Sequence, residues 1–344
     1  MIPRRRTSII RYSNIFDEIA NFEALYKAYE ECIKGRRYKN EVVSSTAHIE
    51  MIVSDLVREL QEGTYKPGEY YEFETRKEVK RRIIHAPLFR DRIVQHAVCN
   101  VLEPLYEKKF IFDSYANRKG KGNHKAVARV QSFLYQGRCN SYVFQGDFKK
   151  YYDNVNHELL KAKIRRTVKD ERVLLLCDAL IDSYNGHTGK GIPIGAPFSQ
   201  LMANVNLDSL DHFVKDVLRV KKYVRLMDDF VIIGHKDALT YYLQEIRWFA
   251  DTQLRQPLNR KTQIYPANHG VDFGGYRTFA NKILPRKRNV KAAKKRLKAV
   301  SWLYRNGVID ERVVKQQINS FKGYMSHCDG NVTLENVLKT VEVQ

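Results

Sequence analysis

The segment KYVRLMDDFVIIG (222–234) constrains this chain more than any other stretch. Two β-prone runs, Tyr223-Val224 and Phe230–Ile233, flank the adjacent acids Asp228 and Asp229. The pattern predicts a β-hairpin with both carboxylates at its turn. Adjacent acids at a hairpin tip repel each other, and in a chain of net charge +21 they call for a purpose. Hard divalent cations take oxygen ligands, and a two-metal site needs carboxylates delivered from different elements. A second β-prone run, YVFQGD (142–147), also ends in an acid. Placed in one sheet with the hairpin, it brings Asp147 beside the pair.

The 344 residues suffice for two or three subdomains with a sizeable core. No apolar run reaches the roughly 20 residues that span a bilayer. The N-terminal MIPRRRTSIIRYS is basic without an apolar signal core, so the expectation is a bacterial cytoplasmic protein with no membrane partner. Lysine and arginine number 60 against 39 acids, beside 21 Tyr and 16 Phe. That balance points to a polyanion with stackable bases. The five cysteines show no CxxC spacing, which argues against a zinc site or a disulfide framework.

Along the chain, FEALYKAYEECIKG and AHIEMIVSDLVRELQEG read as helices ending at Gly35 and Gly63. YYEFETRKEVKRRIIHAP alternates as a hairpin, and 89–106 reads as a helix. Lys77, Lys80, Arg81, Arg82, Arg90 and Arg92 gather here, a composition suited to clamping phosphates. SYANRKGKGNHKA (114–126) sets Arg118, Lys119, Lys121 and Lys125 around Gly120 and Gly122, a basic loop without the GxxxxGK[ST] pattern of a P-loop. Further helices are expected over 125–134, after Asn156 as N-cap, over 169–184, from Ser199 onward, and over 237–254. VDFGGYRTF (271–279) predicts a short hairpin. Two basic helices follow, the second over 310–327.

These segments, in this order, resemble the motifs of bacterial reverse transcriptases. RRIIHAPLFRDRIVQHAVCNVLEP is similar to the fingers motifs and FQGDFKKYYDNVNH to the first palm motif. GIPIGAPFSQLMANVNLDSLD is similar to the template-positioning motif and VRLMDDFVI to the box around the second metal ligand. LNRKT and FGGY are similar to the lysine motif and the primer grip. The IGxxxSQ form, SYANRKGKG and FEALYKAY look most like the enzymes of diversity-generating retroelements. Leu226 stands where that pattern has Tyr, and GAPFSQ departs from its usual form.

The resemblance implies an α+β right-hand polymerase fold with an antiparallel palm sheet. N-terminal helices and fingers would span 1–139, palm 140–280 with a fingers helix near 165–190, and thumb 281–344. It implies two Mg²⁺ ions, with Mn²⁺ as substitute, on Asp147, Asp228, the Phe148 carbonyl and Asp229. Lys261 would be the acid for pyrophosphate departure. Lys80, Arg82, Arg92, Phe148, Tyr152 and Gln200 would bind the dNTP. Arg118, Lys119, Lys121, Gly195, Ser199, Leu226, Gly274 and Gly275 would contact template and primer. The implied partners are an RNA template, a DNA primer or product, dNTPs, and an accessory protein, a second reverse transcriptase or another copy of the chain.

The function expected is RNA-directed DNA synthesis on a structured RNA in a retroelement-like system, the alternative being an anti-phage defence enzyme with a dedicated RNA. Tyr152, bulky where a ribose-tolerant site wants a small or hydrogen-bonding group, speaks against an RNA-dependent RNA polymerase. The presence of Asp147 and Asp228 speaks against a non-catalytic RNA-binding scaffold.

Overall fold

The computed structural model describes residues 11–36, 38, 40–74, 83–137 and 141–339. In chain order the first elements are α1 (Phe22–Ile33), α2 (Asn40–Thr46), α3 (Ile49–Gln61), β1 (Tyr71–Glu74), β2 (Ile83–Ala86), α4 (Phe89–Glu107) and α5 (Asn123–Gln136). Next come β3 (Tyr142–Gly146), α6 (His157–Arg165), α7 (Glu171–Asp182), α8 (Pro197–His212), β4 (Tyr223–Leu226), β5 (Asp229–Gly234) and α9 (Lys236–Phe249). The last are β6 (Gln263–Pro266), β7 (Val271–Phe273), β8 (Tyr276–Thr278), β9 (Ile283–Pro285), α10 (Lys287–Arg305), α11 (Glu311–Met325) and α12 (Asn331–Leu338). The chain forms two compact units. Met1–Ile111, Phe148–Phe213 and Ile246–Leu258 make one, and Phe112–Asp147, Val214–Glu245 and Asn259–Gln344 the other.

The first unit is mainly helical. Asn21 caps α1 by accepting from the Ala24 N–H at 2.8 Å. Leu25, Ala28, Tyr29 and Cys32 then return every third or fourth residue as the buried face. Ile49, Val53, Leu56 and Leu60 do the same in α3. Two helices, α4 and α8, are buried on nearly all sides over Phe89–Val94 and Phe198–Leu207, and they pack against each other. Pro197 opens α8, which therefore begins two residues before the expected Ser199; its preset φ and missing N–H suit the first helical position. β1 and β2 pair antiparallel, Tyr71 opposite Ala86 and Glu74 opposite Ile83, and their connection lies outside the described residues.

Asp170 ties this unit's first residues to α7. Its carboxylate accepts from the N–H groups of Arg172 and Val173 as N-cap, at 3.2 and 3.4 Å. It also accepts from Ile15 and Phe16, at 2.9 and 3.0 Å. Asn156 caps α6 through the Leu159 N–H at 2.9 Å, as its sequence position suggests.

The second unit carries a four-stranded antiparallel sheet in the order β4-β5-β3-β6. Val143, Val224, Val231 and Ile233 of the sheet pack with Ala126, Val130, Phe133 and Leu134 of α5 into one core. The alternation of these strands sends the intervening Phe144, Phe230 and Ile232 to the opposite face, where they are also buried. A three-stranded sheet, β7-β8-β9, follows. The helices α10, α11 and α12 share a core of Leu297, Val314, Phe321, Met325 and Val337. The helix α12 has no counterpart in the sequence reading.

Because Asp170 seats both the α7 terminus and the Ile15-Phe16 backbone, Asp170→Ala strands two buried N–H groups as well as removing a cap. The expected loss is about 3 kcal/mol in urea unfolding. Asp170→Asn, which keeps one acceptor oxygen, should lose distinctly less.

Candidate active site

Asp147, Asp228 and Asp229 meet at one end of the four-stranded sheet. β3 and β5 pair antiparallel with Gly146 opposite Phe230, so Asp147 leaves β3 alongside Asp229. The register depends on Gly146. A Cβ there would lie 2.2 Å from the Phe230 ring, so no side chain fits between the strands. The hairpin differs from the expectation by one residue. Leu226 pairs with Asp229, and the two-residue turn is Met227-Asp228. Met227 has φ +59°, the positive φ that a two-residue loop between right-twisted strands demands. Asp229 is therefore the first residue of β5, not part of the turn.

Two residues that the sequence reading passed over hold this arrangement. Asn259 bonds Asp147 twice: its backbone N–H donates to the Asp147 carbonyl at 2.7 Å, and its Nδ2 to Asp147 Oδ2 at 3.0 Å. The Asn259 Oδ1 accepts from the Lys261 N–H at 3.2 Å, which fixes the amide's orientation. Arg225, wholly buried in β4, donates to the Met227 carbonyl at 3.0 Å and to Ser114 Oγ at 3.1 Å. It braces the turn from behind. Lys261 itself is exposed.

The carboxylates disturb one another. Burial, then the charges of Asp228 and Asp147, push the Asp229 pKa from 3.8 up to about 7, and Arg286 and Arg288 oppose the shift. Asp229 keeps solvent contact, which screens part of the effect. Crowded oxygens that resist ionising together are what a hard cation relieves. Among the described residues no three His, Cys, Asp or Glu side chains form a ready-made cage.

In the first unit, Tyr151 is buried and its hydroxyl donates to the Ala203 carbonyl at 2.9 Å, whereas Tyr152 stays partly exposed on a 3₁₀ turn. Of the pair, Tyr151 is thus the core aromatic. Phe148 is buried, Ser199 is buried and Gln200 half-buried on α8. Arg92, mostly buried, donates to the Pro87 carbonyl at 3.3 Å and lines a cavity of about 740 Å³ with Tyr71, Phe73, Ile84 and Gly195. Arg90 instead pairs with Glu59. Lys80 and Arg82 lie outside the described residues.

In the second unit, Arg118 donates to the Ser114 carbonyl and Lys121 to the Phe112 carbonyl, both at 2.8 Å, while Lys119 is exposed. Leu226 packs on the sheet core. Gly274 and Gly275 form the β7-β8 turn at φ +55° and +94°, and the Gly275 carbonyl accepts from Tyr324 at 2.8 Å and Asn289 at 3.2 Å.

Residues 74–278 match the family model described as "Reverse transcriptase (RNA-dependent DNA polymerase)". The chain belongs to the reverse transcriptase family. The protein YkfC of Escherichia coli is 29% identical over 243 residues, covering 58% of this chain and 63% of its own length. The group II intron-encoded protein LtrA of Lactococcus lactis is 27% identical over 215 residues, covering 59% of this chain and 35% of its own length. The chain thus spans about a third to three fifths of these relatives. Apo telomerase of Candida tropicalis aligns with a TM-score of 0.46 at 14% identity, over 66% of this chain and 58% of that one. For this family the antiparallel sheet that carries the three acids is the palm sheet of an α+β polymerase fold.

Two measurements probe this cluster of acids. The raised Asp229 pKa means that ionising this group costs stability. Below about pH 4 both folded and unfolded states hold the proton and nothing is lost; the cost grows to about pH 7 and stays above it. Asp229→Asn should therefore melt a few degrees above wild type at pH 8 in chelator, and the gap should close toward pH 4. Asn259→Ala should leave the melt nearly unchanged but weaken Mn²⁺ binding, followed by electron paramagnetic resonance, by about tenfold or more, the usual effect of losing a group that orients a metal ligand.

Proposed function

We propose that this chain is an RNA-directed DNA polymerase whose reaction centre is the meeting of Asp147, Asp228 and Asp229 at the end of the β3–β5 pair. The observation that carries the reading is the register that sets Asp147 beside Asp229 and Asp228 in the adjoining turn, where burial first and then the two acidic neighbours push the Asp229 pKa up. Asp147 and Asp228 would hold two divalent ions, Mg²⁺ by the chemistry of the donors, with the Phe148 carbonyl and Asp229 assisting. Those ions, when bound, activate the primer 3′-hydroxyl and neutralise the departing pyrophosphate. Asn259 keeps the Asp147 carboxylate in one orientation. Arg225 keeps the turn that presents Asp228.

Lys261, two residues beyond Asn259 and exposed, is the proposed donor of a proton to the leaving group. Arg82, with Lys80 or Arg92, binds the triphosphate. Gly195, Ser199 and Gln200 line the templating pair, Arg118, Lys119 and Lys121 follow the template backbone, and Leu226, Gly274 and Gly275 support the primer end. Tyr152 excludes the 2′-hydroxyl: its ring occupies the space and, being mostly apolar, offers little compensation for lost water. The N-terminal helices and fingers fall to 1–139, the palm to 140–280 with a fingers helix near 165–190, and the thumb to 281–344. The IGxxxSQ form and the SYANRKGKG loop support a retroelement-like role on a structured RNA over a role in anti-phage defence.

Asp147→Asn and Asp228→Asn should each lower primer extension by about 10³-fold or more while leaving RNA affinity within a few-fold. Near wild-type extension by either protein would sink the metal assignment. Tyr152→Ala should raise ribonucleotide incorporation by at least about tenfold, measured by alkaline cleavage of the product, and Tyr151→Ala should not.

A further inference from the structure

We propose that the groove between α1 and α4 is a docking site for a segment of a partner protein, an amphipathic helix with lysines and arginines around an apolar row. The groove has a volume of about 760 Å³. Its α4 wall runs from Ala97 to Leu105, about 12 Å of helix axis, which accommodates about two turns of a docked helix.

Three observations meet there. The first is charge. Residues 14–31 hold five acids against the single Lys27, in a chain whose net charge is +21. Asp17 is paired with Arg172 at 3.0 Å, and Glu31 accepts from Asn100 Nδ2 at 3.0 Å. Glu18, Glu23 and Glu30, which line the groove, pair with no described residue. Phosphate contacts need cations, so this wall repels the nucleic acid that the rest of the chain attracts. A cationic protein segment is steered toward it by the same field.

The second is an aromatic step at the mouth. Phe22 is 43% exposed and stacks on Tyr26, ring centroids 5.9 Å apart. An acidic face kept only for solubility needs no large ring in water. An exposed aromatic rimmed by charge is instead the anatomy of a protein interface. The third is on the opposite wall. Pro104 lies inside α4 and donates no hydrogen bond to the carbonyl of Asn100, one turn earlier, and both residues border the groove. The wall thus carries a backbone carbonyl without its helical donor, an acceptor suited to a lysine or arginine.

The binding measurement involves no nucleotide and stands apart from the polymerase reading. A fluorescent 14-residue peptide, leucine at helical spacing and lysine elsewhere, with a photoreactive group at one leucine position, is titrated into the full chain at 150 mM salt. A matched peptide carries glutamate in place of lysine. The lysine peptide should bind at least about tenfold more tightly than its counterpart and crosslink to residues of α1 and α4. Glu23→Lys with Glu30→Lys, and separately Phe22→Ser, should each weaken it by about tenfold or more, with primer extension unchanged. Crosslinks mapping elsewhere on the wild-type protein, equal binding of the two peptides, or full affinity in the reversed variant would overturn the proposal. A dimer in sedimentation that the reversed variant dissolves would overturn it too, assigning the groove to a second copy of the chain.

Discussion

The close approach of two strands at Gly146 is the constraint on which the site depends. Phe230 lays its ring where a Cβ at 146 would stand. That contact sets the register between β3 and β5, and the register sets Asp147 beside Asp229. In an antiparallel pair a slip of one residue turns every side chain to the other face. Here it would turn Asp229 away from the face it shares with Val231, and so away from Asp147, and bring the Phe230 side chain to the sheet end in its place. The acids repel one another, so nothing in their own chemistry keeps them together. Apolar packing on both faces of the sheet supplies what the charges oppose.

Positive charge is less uniform in use than its abundance suggests. In the loop that follows Phe112, Arg118, Lys121 and Lys125 each turn back to a carbonyl of their own loop, at Ser114, Phe112 and Gly120. Lys121 also lies 3.6 Å from the centre of the Phe112 ring. Arg129 and Lys215 both converge on the buried Asp113, at 2.8 and 3.0 Å. Several of these cations therefore shape the backbone as well as carrying charge, while neighbours such as Lys119 face solvent.

What could be read from the chain without a structure was local. Alternating apolar residues marked β3 and β5, three- and four-residue spacing marked α1 and α3, and Gly35 and Gly63, both at φ +71°, marked their ends. The acids stood out because charge at a strand end is conspicuous. Asn259 did not: its partner lies 112 residues away, and an asparagine after Leu258 looks like any turn residue. Arg225 carries no sign of its burial in the sequence, where it is a cation between Val224 and Leu226, yet it is wholly buried. The turn was misplaced by one position because neither glycine nor asparagine announced the positive φ that Met227 adopts. Which of the tandem tyrosines packs inward is not written in the sequence; it follows from the bond of the Tyr151 hydroxyl to the Ala203 carbonyl.

The polypeptide passes between its two compact units five times, and one of the crossings falls directly after Asp147. Neither unit is a continuous stretch, so neither can be cut out and produced alone by choosing two ends. Synthesis has the same difficulty. The first unit lacks its last segment until Leu258 has left the ribosome, about 10–50 s after initiation at ordinary bacterial elongation rates. Until then the buried side chains of Ile246, Ala250 and Leu254 are missing from its core. For a chain wired in this way, chaperone demand during translation follows from connectivity and not from any weakness of the finished fold.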